Sequence, residues 1–388
     1  MEFKQSADLS FGLELEFQIV SSRTGRLSPS SLELWGDLKD RPDAERYSLE
    51  ATLSTIEINS SVHSDADDML REVLGITSTL EKLATPKGLI IRGGGTQLTQ
   101  YWDDRIVTPS ERATELTKRF GFLPKRFSTY GMHVHIGVSN ADNALMIGNF
   151  LQALVPLFIA MSAASPFLQM SDTGFCASRP LEPLIYPHGG SMPRMTSWSQ
   201  FESIVEEIFT LKLASSLKDI YWDVRPKPEF GTIEVRVFDT PLSVYKAVAM
   251  AAFTRACAAL VLSGQWVLPD TPASPTAERV SRFMACRDGL DASLLDPMTQ
   301  TWMPARQLLS TLCDAIAQSN HEAVDKRRIE ELHAHCSKTQ DSEIMRNAWQ
   351  NSQNFQMSNR TGSDTLMADY SRSLEKRMTM PLDLESIA

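Results

Sequence analysis

The chain has 388 residues, 42% of them apolar, enough to bury the core of one large elaborated domain or of two to three average ones. Its net charge of -10, from 38 basic and 48 acidic residues spread along the chain, excludes a general nucleic-acid binder, which needs a concentrated basic surface. The opening MEFKQSADLS lacks both the basic and the apolar part of a secretory leader, and the most apolar stretches are interrupted by Pro156, Pro166 and Arg255, so the expectation is a cytoplasmic protein with no membrane span.

Taken in chain order, residues 11–20 alternate between apolar and polar positions and read as a strand. Residues 55–59 read the same way, with Glu57 between Ile56 and Ile58. Residues 65–84 carry helical spacing after a Ser/Asp start that can cap the first turn. Residues 89–92 form a short strand that Gly93, Gly94 and Gly95 end. Residues 132–138 are another strand, with His133 and His135 on one face because strand side chains alternate with period two. Residues 141–164 read as a long apolar helix with a kink at Pro156, and residues 171–193 as an irregular Gly/Pro-rich segment, of which residues 174–193 are a lid or a surface loop. Residues 198–209 are amphipathic and helical, and residues 233–238 form a strand with Glu234 and Arg236 on the same face. From Ser243 the chain reads as helical nearly to its end, apart from a Pro-rich break at residues 268–275, and the last ~40 residues are polar and carry little pattern. The sum is an α+β arrangement, a mostly antiparallel sheet with helices packed mainly on one face.

The five cysteines are widely spaced without a CxxC pair, which fits reduced thiols, and Cys257 sits in an apolar helical pattern as core. The run His333-Ala334-His335-Cys336 lies in a polar stretch with no second ligand cluster and is expected on a solvated helix face.

Four of the strands place hard ligands on one face: Glu14 and Glu16, Glu57 (with Glu50 seven residues earlier), His133 and His135, and Glu234 with Arg236. Brought side by side, such carboxylates repel one another unless they hold cations, and an oxygen-rich set with occasional histidine suits Mg²⁺ or Mn²⁺ better than zinc. Magnesium prefers to share its shell with substrate phosphates, yet neither a GxxxxGK[ST] loop nor a GxGxxG turn nor a kinase motif set is present. Arg179, Arg225 and Arg236 are therefore the phosphate candidates, since a guanidinium grips anionic oxygens in two-point geometry.

In order, Gly12-Leu-Glu-Leu-Glu-Phe17, Ile56-Glu-Ile-Asn59, Gly131-Met-His-Val-His-Ile-Gly137, Ser162-Ala-Ala-Ser-Pro-Phe167 with Asp172-Thr-Gly-Phe175 and Ser178-Arg179, and Tyr221-Trp-Asp-Val-Arg-Pro226 followed by Phe230-Gly-Thr-Ile-Glu-Val-Arg-Val237 resemble the type 2 glutamate–cysteine ligases, or carboxylate–amine ligases. The resemblance covers roughly residues 8–295, with Asp288-Gly-Leu-Asp-Ala292 as a late element, so residues 1–295 are expected to form the ligase domain and residues 296–388 a helical C-terminal extension packed on it. It implies a glutamine-synthetase-like catalytic domain whose curved antiparallel sheet forms an active-site funnel. It also implies a reaction, in which ATP phosphorylates a carboxylate, an amine attacks the acyl phosphate and phosphate leaves. Carried over by motif, Glu14, Glu16, Glu57, His133 and Glu234 would hold the divalent ions, with Glu50 as a further ligand candidate. Arg236 would stabilise the transferring phosphoryl group, with Arg225 and Glu57 also in the catalytic set, while Arg179 and Arg225 would contact phosphate or the substrate carboxylate. His135 is either a ligand or a support for one. The resemblance further implies ATP and Mg²⁺ as cofactors, small carboxylate and amine substrates of the amino-acid kind, and by family habit a homodimer. Where the family commonly reads Gly-Thr-His-Pro-Phe, this chain has Gly95-Thr-Gln-Leu-Thr99, a departure that bears on the substrate more than on the reaction. Two other readings use the same residues: a metal- and ATP-dependent phosphotransferase or hydrolase on the same scaffold, and a non-catalytic nucleotide-binding relative.

Overall fold

The structure, a computed structural model, describes residues 1–99, 101–126, 129–359 and 363–382. Residues 360–362 and 383–388 of the expected C-terminal extension lie outside the described residues. Among the described residues the chain builds a seven-stranded sheet around β1 (Phe11–Ser21), with β2 (Tyr47–Leu49), β3 (Thr55–Asn59), β4 (Leu89–Arg92), β5 (Gly131–Gly137), β6 (Val224–Lys227) and β7 (Thr232–Asp239). The order is β6-β7-β5-β1-β3-β2, every pairing is antiparallel, and β4 takes the part of β1 that β5 leaves.

Alternation in β1 decides which face is core. Leu13, Leu15, Phe17 and Ile19 are buried, as are Val134 and Ile136 of β5 and Ile233 and Val235 of β7. Each such side chain contributes about 1.5–3 kcal/mol on burial, which fixes the register, because a one-residue slip would turn the whole set to the other face. The apolar face packs on α1 (Ala66–Ala84), α2 (Ala141–Ala153), α3 (Val155–Ser162) and α4 (Val244–Leu262). The Asp65 side chain caps α1 by accepting from the Asp68 N–H at 2.9 Å. α4 is long and apolar enough to cross a membrane, but 89% of its most apolar window is buried inside the protein, so it serves as the central core helix.

The long helix expected over residues 141–164 is two helices that meet at 57°. Pro156 lies in the first turn of α3, where its missing N–H costs nothing, while its ring bars a straight run from α2. The expected helical run after Ser243 is also interrupted, by α5 (Pro275–Asp288) running into a small hairpin of β8 (Ser293–Leu295) and β9 (Trp302–Pro304). Asp296 sets that turn by accepting from the Met298 N–H at 2.9 Å and the Thr299 hydroxyl at 2.6 Å. Strands of three residues are too short to show a period, which is why the pattern missed them.

Beyond the hairpin come α6 (Ala305–Gln318), α7 (Ala323–Lys338), α8 (Asp341–Asn359) and α9 (Ser363–Glu375). Leu308, Leu312, Ile316, Ile329 and Leu332 enter the same core as the sheet. The expectation of a solvated face for residues 333–336 is corrected here: His335 and Cys336 are buried. α7 packs along α4, and this face turns toward the buried ion pair of Lys246 with Asp341, with His335 Nε2 at 3.8 Å from the Asp341 carboxylate. All five cysteines are free and buried. The little-patterned end of the chain has a place too: Met367, Tyr370 and Leu374 of α9 pack with Leu98, Phe167 and Leu242 beside β4.

Candidate active site

The register of the sheet lines up the polar positions of five strands. Glu14 of β1 stands opposite His133 of β5, and Glu16 stands opposite Glu57 of β3. His135 stands opposite Glu234 of β7, which in turn stands opposite Arg225 of β6. The sequence therefore placed these residues on one face of separate strands, and the pairing brings them into contact. Three sets of donor atoms converge within 4.8 Å: Glu14, Glu57 and His133; Glu14, His135 and Glu234; and Glu16, Glu50 and Glu57. Glu14 and Glu57 each belong to two sets, so the three share one continuous face.

Distances inside the face are short. His133 Nδ1 is 2.7 Å from Glu14 Oε2, and His135 Nε2 is 3.2 Å from Glu14 Oε1. Glu234 Oε1 is 3.8 Å from a ring nitrogen of each histidine. The other ring nitrogen of His135 is 3.1 Å from the Thr232 hydroxyl, which orients the imidazole. The Gly131 N–H donates to Glu16 Oε2, a contact that the sequence pattern did not signal.

The electrostatics follow from burial and crowding. Burial, then the charges of Glu50, Glu14 and Glu16, pushes the Glu57 carboxyl well above the usual carboxylate range. Burial and the Glu50 charge push Glu16 up to about 7. At Glu234 burial pulls the same way, but the Arg225 and Arg236 guanidiniums outweigh it and hold the carboxyl well below its ordinary value. At Glu14 burial is likewise outweighed, by hydrogen bonds to His133 and His135. Burial and the nearby Arg236 push His133 down to about 4, so its ring is neutral at physiological pH and has a lone pair to offer. His135 is raised, because Glu14 and Glu234 override its burial.

The arginines divide into one that faces the site and two that build it. Arg236 donates to Glu234 Oε1 at 2.5 Å and keeps some exposed surface. It sits where β7 bulges, between Val235, paired with Val134, and Phe238, paired with Met132. Arg225 is buried and directs its guanidinium at Glu234 and at the carbonyls of Leu217 and Ile220, at 2.7 and 2.9 Å. Arg179 is buried as well and donates to the carbonyls of Val237 and Arg236 at 3.1 and 3.3 Å, spanning the bulge. A side chain at Gly131 would collide with that guanidinium, which is a close-approach reason for glycine there. Residues 174–193, expected as a lid or loop, are packed in only in part: the turn of helix Arg179–Ile185 starts at this arginine, with Pro180 and Glu182 buried and Leu184 and Ile185 exposed.

Sequence reasoning missed Asp239 at the end of β7. Its carboxylate accepts from the Ala164 N–H at 2.8 Å and the Ser165 hydroxyl at 2.6 Å, and burial pushes it up to about 6. It ties the Ser162–Phe167 motif to the sheet, and its only sequence signal was its place in the run Arg236-Val-Phe-Asp239.

Comparison with known proteins identifies the family. Residues 10–360 match the family described as glutamate–cysteine ligase family 2. A protein of Dechloromonas aromatica (strain RCB) named "Putative glutamate--cysteine ligase 2" is 36% identical over 326 residues, 83% of this chain and 83% of its own. One of the same name from Janthinobacterium sp. (strain Marseille) is 36% identical over 332 residues, 86% of this chain and 90% of its own. The crystal structure of glutamate–cysteine ligase from Francisella tularensis in complex with AMP shares the fold, with a TM-score of 0.63 at 13% identity over 97% of this chain and 90% of that one. The chain belongs to glutamate–cysteine ligase family 2, and with it to the ATP-dependent ligases that join a carboxylate to an amine.

Proposed function

We propose that this face condenses a small carboxylic acid with a small amine, both of the amino-acid kind, through an acyl phosphate drawn from ATP. The observation that carries the reading is the union of three carboxylate and histidine clusters with Arg236 at their edge. The donors fit Mg²⁺ or Mn²⁺: they are glutamate oxygens and imidazole nitrogens, and the crowded glutamates stay charged together only beside cations. Glu14, Glu16, Glu50, Glu57, His133, His135 and Glu234 would hold the ions. Bound there, such ions screen the negative charge of ATP and the carboxylate and draw charge off the γ-phosphoryl group.

The chain's own residues do the rest. Arg236 presents its guanidinium at the rim of the carboxylate face, where it can meet the equatorial oxygens of a phosphoryl group in transit. Arg225 fixes Glu234 from the neighbouring strand, and Arg179 fixes the bulge that aims Arg236, so both act as positioning residues. In the proposed reaction the acid's oxygen attacks the γ-phosphorus and ADP leaves. The amine nitrogen then attacks the acyl carbon, the C–O bond to phosphate breaks, and the amine loses a proton.

The test is ADP and phosphate release from ATP and Mg²⁺ over a panel of acids and amines, with mass spectrometry of the products. ADP that appears only with an acid–amine pair, together with the condensed product, supports the reading. ADP without condensation replaces it with phosphoryl transfer alone, and no ATP consumption with any pair removes it.

A further inference from the structure

At the 57° bend between α2 and α3 lies a cavity of about 110 Å³, on the helix side of the sheet and lined by none of the residues of the carboxylate face. Ala153, Val155 and Pro156 wall it from the two arms of the bend, Leu268 and Ala273 from the Pro-rich break, and Leu295 from the β8–β9 hairpin. α5 closes it with Glu278, Ser281 and Arg282, which share one face of the helix by their spacing. Arg194 and Glu278 are exposed where they line the cavity, and Arg194 acts on the Glu278 carboxyl through charge, with no hydrogen bond between them. Arg194 gives a donor to the Pro269 carbonyl at 2.9 Å, which among the described residues leaves the rest of its five donors for an anion.

Arg282 connects this cavity to the reaction face. It is buried, with Nη1 donating to the Asp223 carboxylate and Nη2 to the Pro180 carbonyl at 2.8 Å. Its Nε is buried without a partner, so only two of its three nitrogens are held. Both partners border on what holds Arg236. The Asp223 carbonyl accepts from the Arg236 N–H at 2.8 Å, and Pro180 follows Arg179, whose guanidinium spans the bulge. The volume bounds the ligand: a cavity of ~150 Å³ holds benzene, so this smaller one admits a branched aliphatic group and excludes a nucleotide. We propose that it is a regulatory site for an aliphatic amino acid, whose side chain fills the cavity while its carboxylate meets Arg194 and its ammonium meets Glu278. An amino acid is the small molecule that offers an aliphatic group and both charges together. The cavity is open in the form whose Arg236 is aligned on Glu234, so a ligand that fits it favours that form and raises turnover. The effect on turnover rests on the ligase reading, whereas binding and the link to Arg236 do not.

The experiment measures binding to the full chain by calorimetry without ATP, with valine, alanine, isobutylamine and isovalerate as probes. It compares the wild type with Ala273→Leu, Arg194→Gln and Arg282→Lys. Valine should bind the wild type about 10-fold more tightly than alanine, the worth of two buried carbons. It should bind several-fold more tightly than isobutylamine or isovalerate, each of which lacks one of the two charges. Ala273→Leu fills the cavity and should abolish binding, and Arg194→Gln should erase the advantage over isobutylamine. Hydrogen exchange read by mass spectrometry should show valine slowing the Arg236 amide several-fold relative to β1, and ADP release should rise several-fold. Arg282→Lys should keep valine binding and lose both responses, because an ammonium cannot hold Asp223 and Pro180 in the fork geometry of a guanidinium. If Arg282→Lys does not fold, the exposed Arg194→Gln and the half-buried Ala273→Leu carry the test. Valine that binds Ala273→Leu as it binds the wild type is bound as a substrate, which would overturn the assignment. Equal binding of valine and alanine, or of valine and its two singly charged analogues, would do the same. Binding with no slowing at Arg236, or with lowered ADP release, would overturn the regulatory role. If exchange responds but no acid–amine pair is condensed, the site stands and the ligase reading fails. If amide forms and neither binding nor exchange responds, the reverse holds.

Discussion

Arg225 directs both Nε and Nη2 at the same oxygen of Glu234, Oε2, at 3.0 and 2.7 Å. The other oxygen, Oε1, is thereby left to the reaction face, where it meets Arg236 and lies 3.8 Å from a ring nitrogen of both histidines. One carboxylate thus has one oxygen held and one left to the carboxylate face, and the division is made by a buried arginine on the neighbouring strand.

Arg225→Gln should therefore keep the fold while loosening Glu234. We expect the Mg²⁺ concentration needed for half-maximal turnover to rise roughly 10- to 100-fold, the usual effect of losing a group that orients a metal ligand. A metal titration of ADP release checks it, and an unchanged titration curve would remove the orienting role.

Arg236→Ala and Glu234→Gln should each lower kcat by about 10³-fold or more, the range for losing an arginine that stabilises a transferring phosphoryl group or a ligand beside it. Circular dichroism should show both variants folded. Retained activity in either one would refute the site.

Glu57 is the most crowded acid of the face, pushed up by burial and by three neighbouring glutamates. Glu57→Gln removes that repulsion, so in EDTA the variant should melt at or above the wild-type temperature. Added Mg²⁺ should raise the wild-type melting temperature and raise that of the variant much less, with 1 kcal/mol worth roughly 2 °C in a chain of this size. A variant less stable than wild type in EDTA would show that Glu57 is held by something other than cations.

Lys246 and Asp341 form a fully buried ion pair that ties α8 to the central helix α4. Asp341→Asn leaves the ammonium without its counter-charge and should cost about 3–5 kcal/mol in urea unfolding. Burial alone would raise the Asp341 carboxyl, but Lys246 and His335 hold it well below its ordinary 3.8. Its folded pKa is thus depressed, so its contribution is complete above about pH 4 and is lost as pH falls below that toward the folded value. The stability gap between wild type and Asp341→Asn should accordingly be constant from pH 5 to 7 and shrink below pH 4. A gap that does not narrow in acid would mean that the pair is not the source.

Much of this protein is written in local pattern. Alternation in Phe11–Ser21, Gly131–Gly137 and Thr232–Asp239 marks strands and puts Glu14, Glu16, His133, His135 and Glu234 on polar faces, because period two is a property of the backbone itself. The ordered motifs add the family and its reaction. Period two names a face but not a neighbour, so only the tertiary structure decides that Glu16 meets Glu57 and that Arg225 stands opposite Glu234. It also decides that the last helix, unreadable as polar sequence, sets Tyr370 over Arg92. Register, burial and the partners of a charge are long-range quantities, fixed by which surfaces the core brings together, and no local spacing in the chain contains them.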